Sequence, residues 1–262
     1  MASSQVSPED GFAIRLRGVT KTYDSGTRAL GPLDLAVRKG EFVSLLGASG
    51  CGKSTALRII AGLTAPSAGT VDVPARASRQ GIGFVFQEPT LMPWTTVREN
   101  VRLPLKLAHV ADAESTPRVM EALAQVGLAD FADAYPRELS GGMKMRVSLA
   151  RALVTSPEIL LLDEPFAALD EITRFRLNND LLALWRKLGK TVVFVTHSIY
   201  ESVYLSQRVV VMTSRPGRVH AECPIASPEP RDDVFRGSVA YAGYCRDVSL
   251  ALTQASDAEA LA

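Results

Sequence analysis

A glycine-rich loop that contains a lysine and three hydroxyl residues lies at Gly47 to Thr55. It fits the pattern G-x-x-x-x-G-K-[ST], in which the N–H groups of a curled backbone point at phosphate oxygens. In such a loop, Lys53 neutralises charge that builds on the β- and γ-phosphates, and the Ser54 hydroxyl ligates Mg²⁺. The residues expected to contact the nucleotide are Gly47, Ala48, Ser49, Gly50, Cys51, Gly52, Lys53, Ser54 and Thr55.

The sequence on either side of this loop argues against the alternative interpretation, an incidental turn rich in glycine and serine. Residues 41–46 form a short apolar run typical of a buried strand, and residues 54–63 have a helical pattern that ends near Gly62. A phosphate loop requires this order of strand, glycine loop and helix, because the helix N-terminus adds a positive end to the anion site.

A second apolar run, residues 159–162, ends in two carboxylates, Asp163 and Glu164. Adjacent residues on a strand point to opposite sides, so we expect the two carboxylates to have different roles. Asp163 would hold Mg²⁺, directly or through water, and Glu164 would polarise the attacking water. A solvated turn is the alternative interpretation, and the phosphate loop upstream weakens it.

His197 follows a third apolar run, residues 191–195. A lone histidine after a strand is more often structural than catalytic. Here the strand is expected to lie in the same sheet as the phosphate loop, with its C-terminal end on the ligand side. That placement favours a catalytic histidine.

The elements that position these residues alternate between strand and helix patterns. The central apolar runs are rich in β-branched residues and predict parallel strands, and residues 177–187 predict a crossover helix between two of them. Residues 96–153 are mostly helical in pattern. Further strands are predicted at residues 12–17, 33–37, 70–73, 82–86 and 208–213, and a last helix at 246–254.

Composition excludes several classes of protein. The chain has 262 residues, 47% of them hydrophobic, and its 29 Lys+Arg against 28 Asp+Glu create no positive field for nucleic acid. Its three cysteines fit no zinc pattern and indicate a reduced, cytosolic compartment. No apolar run reaches the ~18 residues of a membrane span, so we expect any membrane role to depend on a partner. Residues 1–11 are expected to be a flexible leader, without the pattern of a signal peptide.

The order of the motifs resembles the nucleotide-binding subunit of ATP-binding-cassette (ABC) transporters. Gln87 follows an apolar strand, residues 139–142 read Leu-Ser-Gly-Gly, residues 168–170 read Ala-Leu-Asp, and His197 comes last. The resemblance covers about residues 12 to 220 and implies ATP and Mg²⁺ as cofactors. It implies an α/β fold, a P-loop NTPase (RecA-like) core with an antiparallel β subdomain and an inserted α-helical subdomain at about residues 91–150.

The resemblance also implies roles for single residues. Tyr23 matches the aromatic residue that stacks on adenine, with a plain strand-end tyrosine as the alternative. Gln87 matches the glutamine that reaches Mg²⁺ and the attacking water and senses the membrane partner. Asp170 matches the loop that links two sites across a dimer, and His197 the switch histidine that contacts the γ-phosphate. Ser140, Gly141 and Gly142 match the signature that binds the γ-phosphate of the ATP held by a second copy of the chain.

The chemistry of this signature agrees with a second copy. Residues 140–142 open a helix, so they offer N–H groups and a positive helix end to an anion. Because each protomer already has its own phosphate loop, we expect an ATP-sandwich homodimer with two composite sites. The family often has Gln where Met143 and Met145 stand, but the Ser-Gly-Gly core is intact.

Residues 87–94 and 97–101 look like the nitrate, sulfonate and taurine importer branch, and residues 164–170 also look like those of importers. The implied partners are a permease in the membrane and, indirectly, a periplasmic solute-binding protein, with the ATPase peripheral on the cytoplasmic face of the inner (plasma) membrane. Residues 91–94 are either subdomain core or part of a groove for a cytoplasmic helix of the permease. The alternative function is a soluble ABC ATPase that acts on nucleic acid or the ribosome; no basic tract supports it.

The stretch 221–262 is a short C-terminal tail. Its end, residues 247–262, is either a small dimer contact or a mobile end, and we expect the mobile end. The transported solute is not encoded in these motifs, because the subunit contacts nucleotide and permease rather than cargo.

Overall fold

The structure, a computed structural model, describes residues 11–78, 81–226 and 231–260. The predicted leader therefore lies outside the described residues, apart from Gly11. Strands in the described part of the chain are β1 (Phe12–Thr22), β2 (Arg28–Arg38), β3 (Phe42–Leu46), β4 (Ala68–Asp72), β5 (Ile82–Val85), β6 (Ile159–Asp163), β7 (Thr191–Thr196), β8 (Arg208–Met212) and β9 (Val219–Pro224). Helices are α1 (Lys53–Ala61), α2 (Val97–Leu107), α3 (Asp112–Gln125), α4 (Gly141–Leu153), α5 (Glu171–Leu188), α6 (Ile199–Leu205), α7 (Asp233–Arg236) and α8 (Val239–Ala260).

Two sheets form the β part of the fold. The larger has the order β5-β6-β7-β3-β8-β9, and all its pairings are parallel except that of β9 with β8. The smaller is antiparallel, with the order β2-β1-β4. The α/β fold with a parallel core sheet and an antiparallel β subdomain is confirmed.

The central strands are buried on both faces, as their continuous apolar runs predicted. Every residue of β3, β6 and β7 is buried. Alternate residues enter two different cores: Phe42 and Phe194 pack on the side of α4, α5 and α8, whereas Val43 and Val195 pack on the side of α1 and the small sheet. Each such fully buried side chain contributes ~2 kcal/mol of hydrophobic free energy, which fixes the strand order and hence the position of the loops that follow.

Helices α2, α3 and α4 occupy the stretch for which the inserted helical subdomain was predicted. Thr96 caps α2 by accepting a hydrogen bond from the N–H of Glu99 at 3.4 Å. No helix in the described part of the chain is long and apolar enough to cross a membrane.

The C-terminal tail differs from its prediction. Residues 247–256 lie within α8 rather than in a mobile end, and Val248 and Ala255 are fully buried against the main core. The helix itself was predicted at 246–254, but its packing was not, because the side chains that it buries here are small and do not form a strong apolar stripe. Arg231 anchors the start of this region by donating to the carbonyls of Tyr204 and Ser206, at 3.1 and 2.6 Å.

Candidate nucleotide site

Three neighbouring strands end together at one edge of the large sheet. Leu46 of β3 is in register with Thr196 of β7, and Asp163 of β6 is in register with Val195. The segments that follow β3, β6 and β7 therefore start side by side. This register brings the phosphate loop next to Glu164 and His197, as the sequence predicted.

The phosphate loop needs glycine where its backbone turns. Gly50 and Gly52 have φ angles of 77° and 105°, which side-chain-bearing residues rarely adopt. A Cβ at Gly52 would also lie 2.7 Å from the carbonyl oxygen of Ala29, so the loop is packed directly against β2. Helix α1 begins at the next residue, Lys53, and its first N–H groups face the loop.

Lys53 is buried in this loop, with 3% of its side chain exposed. Its Nζ donates to the carbonyl oxygens of Gly47 and Ala48 at 2.8 and 2.9 Å and lies 3.8 Å from Oε1 of Glu164. The other carboxylate oxygen of Glu164 lies 3.2 Å from Nδ1 of His197. An ammonium, a carboxylate and an imidazole thus meet beside the phosphate loop.

Asp163 contacts a different partner. The Ser54 hydroxyl donates to its Oδ1 at 2.7 Å. Burial raises the pKa of the Asp163 carboxyl, and the hydrogen bond from Ser54 acts in the opposite direction. A hydroxyl and a carboxylate oxygen side by side are the hard oxygen donors that Mg²⁺ prefers, so these two residues fit the implied cation.

Glu164 has an unusual backbone conformation. Its φ is 47°, in the left-handed region, and its N–H donates to the carbonyl oxygen of Val195 at 3.0 Å. This backbone breaks the strand alternation after Asp163, so both carboxylates face the loop yet contact different groups. A non-glycine residue held in this region is costly, and such residues concentrate at functional sites.

A cleft of about 180 Å³ lies beside the loop. Tyr23 lines it, and the Tyr23 hydroxyl lies 3.2 Å from the Thr55 Oγ1. Arg215 also lines it and donates from Nε to the carbonyl oxygen of Gly50 at 2.7 Å. Sequence reasoning missed Arg215, because the residue follows β8 in a loop without a motif of its own; only the parallel pairing of β8 with β3 places it there.

The remaining predicted site residues do not line this cleft. Ser140 is exposed at the N-terminus of α4, where its Oγ accepts from the N–H of Met143 at 3.3 Å. Asp170 caps α5 by accepting from the N–H of Thr173 at 2.9 Å, a bond that lowers the pKa of its carboxyl. Gly142 lies so close to α5 that a Cβ there would be 2.7 Å from Cγ2 of Thr173.

Gln87 lies two residues beyond the end of β5 and is exposed. Because β5 pairs with β6, with Val85 in register with Leu162, Gln87 emerges at the edge where Asp163 and Glu164 lie. Gly141 and Gly142 pack against the Asp170 segment instead of the phosphate loop of their own chain. The structure thus separates the predicted site into a loop half and a signature half.

Comparison with known families decides the class of this site. The family model described as ABC transporter matches residues 30–167, more than half of the chain. The chain belongs to the ATP-binding-cassette transporter family. It is therefore a cassette ATPase, and ATP is its nucleotide.

Individual relatives agree with this assignment. The cassette is 46% identical to the nitrate import ATP-binding protein NrtD of Synechocystis sp., over 76% of each chain. It is 47% identical to the aliphatic sulfonates import ATP-binding protein SsuB of Bacillus subtilis, over 76% of this chain and 78% of that one. A solved dimeric cassette, MJ0796 in a post-hydrolysis state with ADP and Pi, matches 82% of this chain and 100% of its own, with 37% identity and a TM-score of 0.72.

Proposed function

We propose that this cassette is the ATP-hydrolysing subunit that energises a bacterial ABC importer for nitrate, sulfonate, taurine or a similar small solute. The observation that carries the proposal is the identity of 46–47% to subunits named for nitrate and sulfonate import. The alternative, a soluble ABC ATPase acting on nucleic acid or the ribosome, is not favoured by these relatives.

In this proposal Glu164 polarises the attacking water and His197 orients the carboxylate and contacts the γ-phosphate. The 3.2 Å approach of His197 Nδ1 to Glu164 Oε2 supports the pairing. Lys53 stabilises negative charge on the transferred phosphoryl group, and its burial and its hydrogen bonds to the carbonyls of Gly47 and Ala48 hold it in place. Tyr23, which lines the cleft, stacks on the adenine.

Ser54 and Asp163 are the residues proposed to hold Mg²⁺, with Gln87 reaching it from the end of β5. The cation, when bound, neutralises phosphate charge and orients the β- and γ-phosphates. The 2.7 Å bond between the Ser54 hydroxyl and Asp163 supports this pair, because it brings together two hard oxygen donors of the kind that Mg²⁺ prefers.

The separated signature half supports a dimer. Ser140 is exposed at the N-terminus of α4 and lines no part of its own nucleotide cleft. The N-terminus of this helix therefore suits the γ-phosphate of a nucleotide bound to a second copy. The Asp170 segment packs against Gly141 and Gly142 and would reach the same interface. The dimeric cassette with ADP and Pi provides a precedent.

The loop that follows Gln87 is proposed to contact the permease. Trp94 is 75% exposed, whereas Leu91 is partly buried against the main core. Leu91 therefore belongs to the subdomain core, and Trp94 is the residue proposed to contact the permease. Asn100, fully buried, holds the loop by donating to the carbonyls of Met92 and Thr96 at 3.1 and 3.0 Å. The backbone that carries Trp94 is therefore held in place, which lowers the entropic cost of docking a partner.

The same loop is tied to the signature helix. Arg151, near the C-terminal end of α4, donates to the carbonyls of Pro89 and Thr90 at 2.8 and 2.9 Å. A displacement of the loop by the permease would therefore also shift α4, the helix that begins at Gly141. The cassette would work as a peripheral subunit on the cytoplasmic face of the inner membrane, with a periplasmic binding protein as an indirect partner.

A mixing experiment tests the composite site. Lys53→Ala removes the loop half and Ser140→Arg blocks the signature half. Each variant alone is expected to lack ATPase activity, and an equal mixture is expected to recover about a quarter of the wild-type rate, because half of the dimers contain one intact site. A mixture no more active than its components would refute the composite site.

A further inference from the structure

A largely buried charge pair links the segment after Asp170 to the segment after His197. Arg174 lies in the first turns of α5 and Glu201 in α6, and their side chains are 18% and 8% exposed. Resting on the proposed function, we propose that Arg174 and Glu201 are positioning residues that set the orientation of His197 according to the position of the Asp170 segment. Neither residue touches the nucleotide cleft.

Arg174 controls the Asp170 side of this link. Its Nη2 donates to the carbonyl oxygen of Leu169 at 2.9 Å, directly before Asp170, and its Nη1 pairs with Glu171 at 3.0 Å. The guanidinium is planar, so its position is tied to that of the backbone it binds. Movement of the Asp170 segment, which we place at the interface with a second copy, would therefore move Nε of Arg174.

Glu201 controls the His197 side. Its Oε2 accepts a hydrogen bond from the Thr196 hydroxyl at 2.6 Å, inside the protein. The same hydroxyl oxygen accepts from the N–H of Ser198 at 3.0 Å. The residues on both sides of His197 are thus held through one hydroxyl whose orientation is set by Glu201.

The link between the two sides is incomplete in a specific way. Arg174 Nε lies 3.7 Å from Glu201 Oε1, too far for a hydrogen bond, and neither of these buried atoms has a hydrogen-bond partner within the described part of the chain. Buried polar atoms without partners are unfavourable, so a shift of less than 1 Å that joins them is favoured. This geometry is that of a contact poised to shorten when the Asp170 segment moves.

A purely structural pair would not need this arrangement. A buried ion pair contributes little net stability, and apolar replacements are often neutral. Here one partner binds the backbone next to Asp170 and the other binds the residue next to His197. Both ends of the pair therefore contact segments that carry proposed site residues, which favours a positioning role.

Two conservative variants test the link. Arg174→Lys keeps the charge but loses the fork that binds Leu169, and Glu201→Gln keeps an acceptor for Thr196 but loses the charge. Asp180→Asn is the matched control, because it breaks the Arg146–Asp180 ion pair of 2.6 Å farther along the same helix. We expect kcat for ATP to fall about fivefold or more in the first two variants, with the Kd for Mg-ATP within twofold of wild type.

The ring resonances of the histidines give a readout that does not depend on turnover. The chain has three histidines, so the His197 signal is assigned with a single His197→Ala variant. We expect the His197 signal to shift in Arg174→Lys and Glu201→Gln, whereas the signals of His109 and His220 stay in place. Thr196→Val, which keeps both charges and nearly the same shape, should shift the same signal and lower kcat in the same way.

An unmoved His197 signal in all three variants, or a kcat no lower than in Asp180→Asn, would overturn the link. Failure of the proposed function would give different results. In that case the wild-type chain itself would lack Mg-ATP hydrolysis, or His197→Ala would hydrolyse ATP at the wild-type rate.

Discussion

The Glu164 carboxylate lies between two basic groups, with Nδ1 of His197 3.2 Å from one oxygen and Nζ of Lys53 3.8 Å from the other. This relationship orients the carboxylate at the edge of the phosphate loop without burying it completely. The left-handed backbone at Glu164 and the hydrogen bond from its N–H to the carbonyl of Val195 hold the Glu164 side chain in this position. In the proposed function, Glu164 orients the attacking water and His197 keeps the Glu164 carboxylate in place.

His197→Ala is expected to lower kcat for ATP by about 10²- to 10⁴-fold, because the general base loses the group that orients it. Nucleotide binding should change little, since the phosphate loop and Tyr23 are untouched. Steady-state hydrolysis and titration with Mg-ATP separate the two effects. Equal losses in the affinity for Mg-ATP and in kcat would show instead that His197 contributes to binding ATP in the ground state.

Gly142→Ala is expected to displace the signature helix from the Asp170 segment, because the added Cβ would lie 2.7 Å from Cγ2 of Thr173. ATPase activity should fall at least about tenfold, while the monomer still binds Mg-ATP through its phosphate loop. Thr173→Ser removes the methyl group that causes the clash. The double variant Gly142→Ala/Thr173→Ser should regain most of the lost activity, and an absence of any regain would show that the clash is not the cause.

Trp94→Glu is expected to abolish solute uptake while basal ATPase activity stays within about twofold of wild type, because the side chain is 75% exposed and remote from the cleft. Uptake by cells that carry the variant, together with ATPase assays of the purified chain, measures the two quantities. Leu91→Glu serves as a contrast, since its partly buried side chain should lower stability as well. Normal uptake with Trp94→Glu would remove Trp94 from the permease interface.

Glu201 makes stability depend on pH in a defined direction. Burial raises the pKa of its carboxyl, although the hydrogen bond from Thr196 and the charge of Arg174 oppose the shift. The folded state thus binds this proton more tightly than the unfolded state, where the pKa is about 4.3. The stabilising contribution is complete below that value and is lost as pH rises through the folded-state pKa.

The free energy of unfolding of Glu201→Gln, relative to wild type, should therefore increase from about pH 4 towards neutrality, because the variant lacks this titration. Urea unfolding of both proteins across that range gives the difference directly, since the other carboxylates cancel. A difference that decreases with rising pH would mean that the charged form of Glu201 is the one favoured by folding.

Much of the fold was predictable because its central strands carry continuous apolar runs. β3, β6 and β7 are buried on both faces, and the glycine loop and Gly62 mark the start and the end of α1. β9 was missed because it is an antiparallel edge strand whose residues alternate between intermediate and exposed. α6 was missed because it is only one short helix of seven residues after His197.

The candidate site was predictable where a motif has its own chemistry. Lys53, Ser54, Asp163, Glu164 and His197 come together because the strands before them are adjacent in one sheet. Arg215 and the Arg174–Glu201 pair carry no motif and are placed only by tertiary packing. Sequence alone therefore predicted which groups meet at this edge of the sheet, but not the residues that hold the surrounding segments in place.

Sedimentation velocity of Glu164→Gln with Mg-ATP shows whether two chains close into the proposed composite site. This variant should bind ATP without hydrolysing it, so two chains should stay closed over two nucleotides. We predict a stable species with twice the 28.2 kDa mass of the chain, which returns to the monomer when ADP replaces ATP. A strictly monomeric species at saturating Mg-ATP would show that no ATP-sandwich dimer forms.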